Sequence, residues 1–364
     1  MNICSKCIIN ENYPKIIFDE RSVCSICNDH QTHKPFGEEK LLAIFQNAKN
    51  KNSKYDALVP LSGGKDSTYI LHLAVNVYKL KVLTMTYDNG FLSQIALANI
   101  KKSVELTKVE HVFRYSDSET QRKIYKTMLL NSGDFCGACD IATKANILKV
   151  AAEYSVPIIL YGSSPLENDS FVPDSIQDIA RFKYILRNSK EFSERDINNF
   201  LIYPNLNLFY LSLYKKIGKI SQEVRPLFYI SNPSDKEMGN IITDKLGWQN
   251  DNSREYSKHF DCIAEPLTNY IRQKIYSYER RICQYSNMIR RNEISRDKAL
   301  QLYAADQINE KPANYKDILD ILQISENDFA NIENISPLKY ETKTSKINRI
   351  FAQLIKIKQT FKKL

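Results

Sequence analysis

No apolar run in the 364 residues is long enough to span a bilayer, which excludes a helical membrane protein. The start, Met1-Asn2-Ile3-Cys4, lacks the charged and apolar regions of a signal peptide, so a cytoplasmic location is expected. There is no internal repeat and no low-complexity tract, which excludes solenoids and a disordered linker protein. The pattern G-x-x-x-x-G-K-S/T is absent as well, so any nucleotide is not held by a Walker loop.

Hydrophobic residues make up 43% and charged residues 26%, as in a soluble globular protein, and the length allows more than one domain. The net charge is +9. Much of it is local, because Lys346, Arg349, Lys356, Lys358, Lys362 and Lys363 stand in a tail with no acidic residue. Ile347, Ile350, Phe351, Leu354 and Ile355 recur there at helical spacing, so the tail reads as a basic amphipathic helix. Such a helix docks on its own domain, or meets a membrane surface, a nucleic acid or a partner. Nucleic acid as the main partner fits poorly, since its binders spread positive charge over an extended face.

The most informative stretch is Val59–Ser67, V-P-L-S-G-G-K-D-S. Residues 55–61 read as a short apolar strand, Ser62–Ser67 as a loop, and Thr68–Ala74 as the opening of a helix. A glycine pair there brings bare backbone N–H groups to an anion at the positive end of the helix. Lys65 adds charge, and Ser62, Ser67 and Thr68 add hydroxyls. Further strands are expected at Lys81–Tyr87, Glu110–Tyr115, Val156–Tyr161 and Arg225–Tyr229, with helices at Ala96–Leu106, Glu119–Leu130 and Ala142–Tyr154 between them. Alternation of strand and helix implies an α/β fold with a parallel sheet. Ligands of such sheets lie beyond the carboxyl ends of the strands, which puts Asp88, Gly90, Gly162 and Glu167 in the crevice of the phosphate loop. Four segments follow: a module at 1–33, a connecting helix and linker at 34–54, the nucleotide domain at 55–230 with an insertion or lid at 170–207, and a mainly helical region with a basic tail at 231–364. Leu208–Ile220 is expected to be helical. Ser234 and Glu237 form a capping box for a helix that ends before Gly247-Trp248.

Six of the eight cysteines form three C-x-x-C pairs, which in a cytosolic chain point to metal or redox chemistry. Cys4-x-x-Cys7 and Cys24-x-x-Cys27 are spaced as the two knuckles of a structural zinc site with four thiolate ligands. Some thirty residues cannot bury enough surface alone, so the metal would organise the module. Cys136-x-x-Cys139 precedes a helical run, where a lowered thiol pKa is expected. That pair binds metal, cycles as a redox couple or carries sulfur. A metal there needs ligands from elsewhere, from Cys262, Cys283 or the substrate.

S-G-G-K-D-S resembles the PP-loop of enzymes that split ATP into AMP and pyrophosphate, the adenine nucleotide alpha hydrolase-like fold. From Cys4 to about Leu300 the chain is similar to one branch, the N-acetyl sugar amidotransferases of bacterial surface-polysaccharide (lipopolysaccharide O-antigen) and pseudaminic-acid-type sugar pathways. The landmarks are the paired knuckles around Ile17-Phe18-Asp19, the PP-loop, Gly133-Asp134-x-Cys136-x-x-Cys139, V-P-I-I-L-Y-G, Arg225-Pro226-Leu227, Leu246-Gly247-Trp248 and Ile294-Ser295-Arg296. The resemblance implies that ATP activates the amide oxygen of an N-acetyl sugar as an adenylate. Ammonia then adds at that carbon, and AMP leaves an acetamidino sugar. By matching position, Ser62, Gly63, Gly64, Lys65 and Ser67 hold the phosphates and Asp66 binds Mg2+. Lys65, Asp66, Cys136 and Cys139 are the catalytic candidates. Glu167, Arg225 and Arg280 are assigned to the sugar. No glutaminase domain is recognisable, so a separate subunit is implied as ammonia source. The oligomeric state is open. The chain departs from relatives at Phe260-Asp261-Cys262 and at Tyr278-Glu279-Arg280-Arg281. Two other readings stand beside this one. One is a sulfur-inserting tRNA-modifying enzyme, with persulfide or an iron–sulfur cluster at Cys136 and Cys139. The other is a non-catalytic nucleotide-binding scaffold subunit.

Overall fold

The computed structural model describes residues 2–13, 16–30, 34–51, 53–165, 179–201, 220–231, 233–251, 260–276, 280–306, 310–332 and 334–335, without the side chains of Tyr276 and Arg280. Its centre is a five-stranded parallel sheet: β1 Ala57–Pro60, β2 Val82–Asp88, β3 Glu110–Tyr115, β4 Ile158–Leu160 and β5 Gln222–Val224, in the order β3-β2-β1-β4-β5. Ala57 pairs with Val82 on one side and Ile158 on the other. The first half of the sheet grows outward from β1 and the second half grows the other way through β4. The chain therefore reverses direction between β1 and β4, which is where an open α/β sheet leaves a crevice at its carboxyl edge.

Both faces of the sheet are covered, as parallel strands require. The period-two alternation of side chains divides β1 between two cores. Ala57 and Val59 pack with Val82, Ile158 and Leu160 beneath two helices, α2 Glu38–Lys49 and α3 Lys65–His72. Leu58 packs with Leu83, Met85 and Ile159 on the opposite face. That face is closed by α5 Ser118–Ser132 and α6 Cys136–Glu153 (the short α1 is Ser25–Asn28, and α4 is Gln94–Thr107).

The strand expected at Arg225–Tyr229 lies earlier, at Gln222–Val224, and Pro226–Phe228 forms a 3-10 turn. Pro226 has no N–H for a ladder and its fixed φ suits the first position of a helical turn. The helix expected from Ala142 begins six residues sooner, at Cys136, because Asp134 Oδ2 accepts from the Gly137 N–H at 3.0 Å and starts it there. Within the expected insertion, α7 Ile179–Ser189 and α8 Glu194–Phe200 bury Phe182, Ile185, Ile197 and Phe200 in the core of α5 and α6. The helix expected over Leu208–Ile220 and the basic tail from Lys346 lie outside the described residues, except Ile220.

The remaining helices are α9 Asp235–Leu246, α10 Glu265–Tyr276, α11 Arg280–Arg290, α12 Arg296–Ala305, α13 Tyr315–Leu322 and α14 Glu326–Ile332. The capping box expected at Ser234 and Glu237 starts α9. A third core joins Cys4, Cys7, Ile8, Val23 and Cys24 to Ile282, Tyr285 and Ala299, so the N-terminal module is packed against α11 and α12. Among the described residues no helix is long and apolar enough to cross a membrane.

Candidate functional site

The loop Ser62–Gly64 leaves β1 at its carboxyl end and enters α3. Gly63 has φ +80, and a Cβ there would lie 2.3 Å from the Ala96 carbonyl oxygen, so only glycine fits. The Gly63 carbonyl accepts two hydrogen bonds, from Asn99 Nδ2 at 3.1 Å and Trp248 Nε1 at 3.0 Å. In a trans peptide the following N–H then points the other way. Ser62 Oγ accepts that Gly64 N–H at 3.3 Å. Gly64 caps α3 with no side-chain hydrogen bond, so among the described residues the first N–H groups of the helix lack the usual capping acceptor. This is the arrangement that receives an anion. The hydroxyls are turned inward: Ser67 Oγ donates to the Gly64 carbonyl at 3.1 Å and Thr68 Oγ1 does so at 2.8 Å.

Lys65 is 14% exposed and meets two carboxylates, Asp66 at 2.5 Å and Asp235 at 3.0 Å. Burial works against its charge, but those carboxylates hold its pKa above the ordinary lysine value. Gly162, just past β4, abuts the same turn, and a Cβ there would lie 2.8 Å from the Asp66 carbonyl carbon. A Cβ on Gly64 would lie 3.4 Å from Asp261 Oδ2, so a third carboxylate faces the loop. The Ser93 N–H donates to the Asp261 carbonyl at 3.0 Å and holds that segment in place.

Asp88 and Gly90 line a cleft of about 900 Å³ at the ends of β2 and β3, together with Asn89, Gln121, Arg122 and Tyr125. Asp88 Oδ1 accepts from the Gly90 N–H at 2.8 Å, a local turn that shapes its mouth. Ser62–Ser67 do not line that cleft. Arg225 donates to Ser163 Oγ at 2.9 Å and lies 5.8 Å from the Tyr161 ring centroid, beside the end of β4. Glu167 and the Arg280 side chain lie outside the described residues.

Cys136 and Cys139 start α6. Cys139 accepts from Asn89 Nδ2 at 3.4 Å. The lowered thiol pKa expected from the helix terminus is not found at Cys139. Burial pushes this thiol up to about 11, and the neighbouring Cys136 adds to the rise. Desolvation of the thiolate outweighs the helix dipole. In the N-terminal module, Cys4, Cys7, Cys24 and Cys27 bring their sulfurs within 4.8 Å of one another, so the four could hold a metal ion. Arg296 Nε and Nη2 both donate to the Cys4 carbonyl, at 3.2 and 3.0 Å, and Nε also reaches the Cys7 carbonyl at 3.0 Å.

Sequence reasoning singled out Ser62–Ser67 and gave no role to Asn99, Trp248, Asp235 or Asp261. Gly247-Trp248 and Asp261 stood in stretches already noted, but nothing local tied them to the loop.

Comparison with known proteins places the C-terminal part. Residues 253–356 match the family described as LPS biosynthesis protein WbpG-like, C-terminal domain. The family resemblance drawn from the motifs is thus borne out over the segment that the PP-loop cannot speak for. The uncharacterized protein MJ1599 of Methanocaldococcus jannaschii is 30% identical over 100 residues, covering 26% of this chain and 36% of that protein. The chain therefore spans little more than a third of that relative. Among solved structures, the U34-tRNA thiolase NcsA from Methanococcus maripaludis with its 4Fe–4S cluster aligns with TM-score 0.36 and 14% identity, over 86% of this chain and 91% of that one. NMN synthetase from Francisella tularensis aligns with TM-score 0.29 and 15% identity, over 59% and 86%. Glutamine-dependent NAD+ synthetase from Acinetobacter baumannii aligns with TM-score 0.31 and 12% identity, over 82% and 51%.

Proposed function

We propose that this chain is an ATP-dependent, AMP-forming enzyme of surface-sugar biosynthesis that converts an N-acetyl group to an acetamidino group. The observation that carries the reading is the glycine loop at the strand-order reversal, with Lys65 held between Asp66 and Asp235, in a chain whose C-terminal region is WbpG-like.

Ser62, Gly63, Gly64 and Ser67 receive the phosphates of ATP at the amino end of α3. The inward-turned hydroxyls of Ser67 and Thr68 exchange their bonds to the Gly64 carbonyl for phosphate oxygens. Lys65 moves from two carboxylates toward the negative charge that builds on the α-phosphate. The amide oxygen of the sugar attacks that phosphorus, and pyrophosphate leaves. Ammonia then adds to the activated carbon, and the C–O bond to AMP breaks as the amidine forms. Preset donors and charges aimed at the developing charge are the main catalytic term, with about 3–4 kcal/mol for a single well-placed group. Mg2+ bound with the nucleotide would be held by Asp66, whose carboxylate stands in the first turn of α3, and would neutralise phosphate charge. Arg225, Glu167 and Arg280 are assigned to the sugar and Gly162, which abuts Asp66, to the phosphates, while Asp88 and Gly90 line the separate cleft at the ends of β2 and β3 and are assigned to the part of the nucleotide beyond its phosphates. The four N-terminal thiols, three of them fully buried, suit zinc in a structural role. Ammonia reaches the site free in solution or from a separate glutaminase.

The test is a mass-spectrometric assay with ATP, ammonium and a panel of N-acetylated sugars, free and nucleotide-linked. The expected product is lighter than substrate by the difference between O and NH, with AMP formed in equal amount. AMP formation with sulfide and a thioamide product would replace this reading by sulfur insertion.

A further inference from the structure

The phosphate loop carries two adjacent glycines, Gly63 and Gly64. With no Cβ on either side, the peptide between them can turn over against little steric resistance. In one orientation that peptide presents the Gly64 N–H to an anion. In the other it presents the Gly63 carbonyl, whose oxygen repels one. Binding at the loop therefore depends on what holds the Gly63 carbonyl.

The carbonyl is held from outside the loop. Asn99 stands in α4 and is 1% exposed. Its Nδ2 donates to the Gly63 carbonyl at 3.1 Å and to the Gln249 carbonyl at 2.9 Å. Its Oδ1 accepts from the Gln249 N–H at 2.8 Å. Both amide hydrogens are thus engaged, and the carboxamide is fixed in one orientation. It joins three parts that are distant in sequence: the loop, α4 and the Trp248–Gln249 segment. Trp248, the second donor to Gly63, is 4% exposed and packs on Phe260 with ring centroids 5.8 Å apart. Gln249 stands just before the WbpG-like region, which begins at residue 253.

This junction needs two donors and one acceptor on a short stem. Aspartate would set a carboxylate oxygen against two carbonyls. Leucine has nearly the same shape but would leave the Gln249 N–H buried without its acceptor. We propose that Asn99 is a positioning residue for the nucleotide. It keeps the Gly64 N–H toward the phosphates and makes that orientation depend on the Trp248–Gln249 segment. The proposal rests on the reading of Ser62–Ser67 as an ATP loop. Molecules with the peptide turned over do not receive ATP, so the apparent affinity falls with the fraction that is correctly turned. By reciprocity, bound ATP steadies the contacts of Asn99.

The experiment measures binding of ATP with Mg2+ to the full chain by calorimetry, at a temperature well below melting. Asn99→Leu should raise Kd for ATP about five- to tenfold, and Asn99→Asp should raise it further. In the wild-type chain, ATP should slow amide hydrogen exchange at Gln249, whose N–H reports the Asn99 contact directly. Wild-type affinity in both variants, with only the melting temperature lowered, would make Asn99 a contact of the fold alone and overturn the proposal. Failure of the wild-type chain to bind ATP would remove the nucleotide reading itself and this proposal with it. If neither variant folds, the wild-type exchange measurement decides. Unchanged exchange at Gln249 when ATP binds overturns the proposal.

Discussion

Lys65 is the residue on which the nucleotide chemistry turns. Two carboxylates hold its pKa above the ordinary lysine value, so it meets the nucleotide charged at any pH near neutrality. Lys65→Ala should lower kcat for AMP formation by about 10²–10³-fold, the usual effect of removing one transition-state donor. Asp66→Ala should abolish AMP formation with the circular dichroism spectrum unchanged, and undiminished turnover would remove Asp66 from the site. Trp248 acts on the same loop from farther away. Trp248→Phe keeps most of the packing and removes one hydrogen bond to the Gly63 carbonyl, worth about 1 kcal/mol. The expected readout is a higher KM for ATP with kcat little changed. The difference between these residues explains what the sequence made legible. Ser62–Ser67 are contiguous, and their chemistry needs only the strand before and the helix after. Trp248 and Asp235 reach the loop across separations of 185 and 170 residues, and no local pattern encodes such contacts.

At the scale of elements, the order of strands and helices could be read from alternating apolar runs, because each buried parallel strand is apolar on both faces. Boundaries were less legible where a single residue decides them. Pro226 turns the expected strand into a helical turn, and Asp134 starts α6 early. The outer pair β2–β3 carries a pH dependence. His111 is placed between Thr84 Oγ1, 2.8 Å from Nδ1, and the Phe113 ring, while its Nε2 is buried with no hydrogen-bond partner among the described residues. Burial pushes its pKa from 6.5 down to about 4. The unfolded imidazole binds a proton below about 6.5 and the folded one only below about 4. Between these values the unfolded chain holds the extra proton, so stability is full above the window and falls as pH is lowered across it. Urea denaturation from pH 7 to 4.5 should show this loss, and His111→Gln should flatten that part of the slope.

For the whole molecule, the N-terminal module and the helices α11 and α12 form one structure. The first thirty residues are built around four cysteines, yet their outer face is closed by α11 and α12, nearly three hundred residues away. This long-range closure was not legible, although Arg296 stood in a stretch marked as a landmark. The Arg296 guanidinium spans the Cys4 and Cys7 carbonyls, so it fixes the backbone of the first knuckle from 292 and 289 residues away. Hydrogen bonds to a charged group contribute about 1.5–3 kcal/mol each, and those of one guanidinium overlap in effect. Arg296→Ala should therefore weaken retention of the N-terminal metal against a chelator and lower the melting temperature by several degrees. Chelation of the wild-type metal should, in turn, loosen α11 and α12 as well as residues 2–30. Hydrogen exchange would show faster amide labelling in both segments together. Labelling confined to the N-terminal residues would mean that the helices stand without the module, and the coupling drawn from Arg296 would fail.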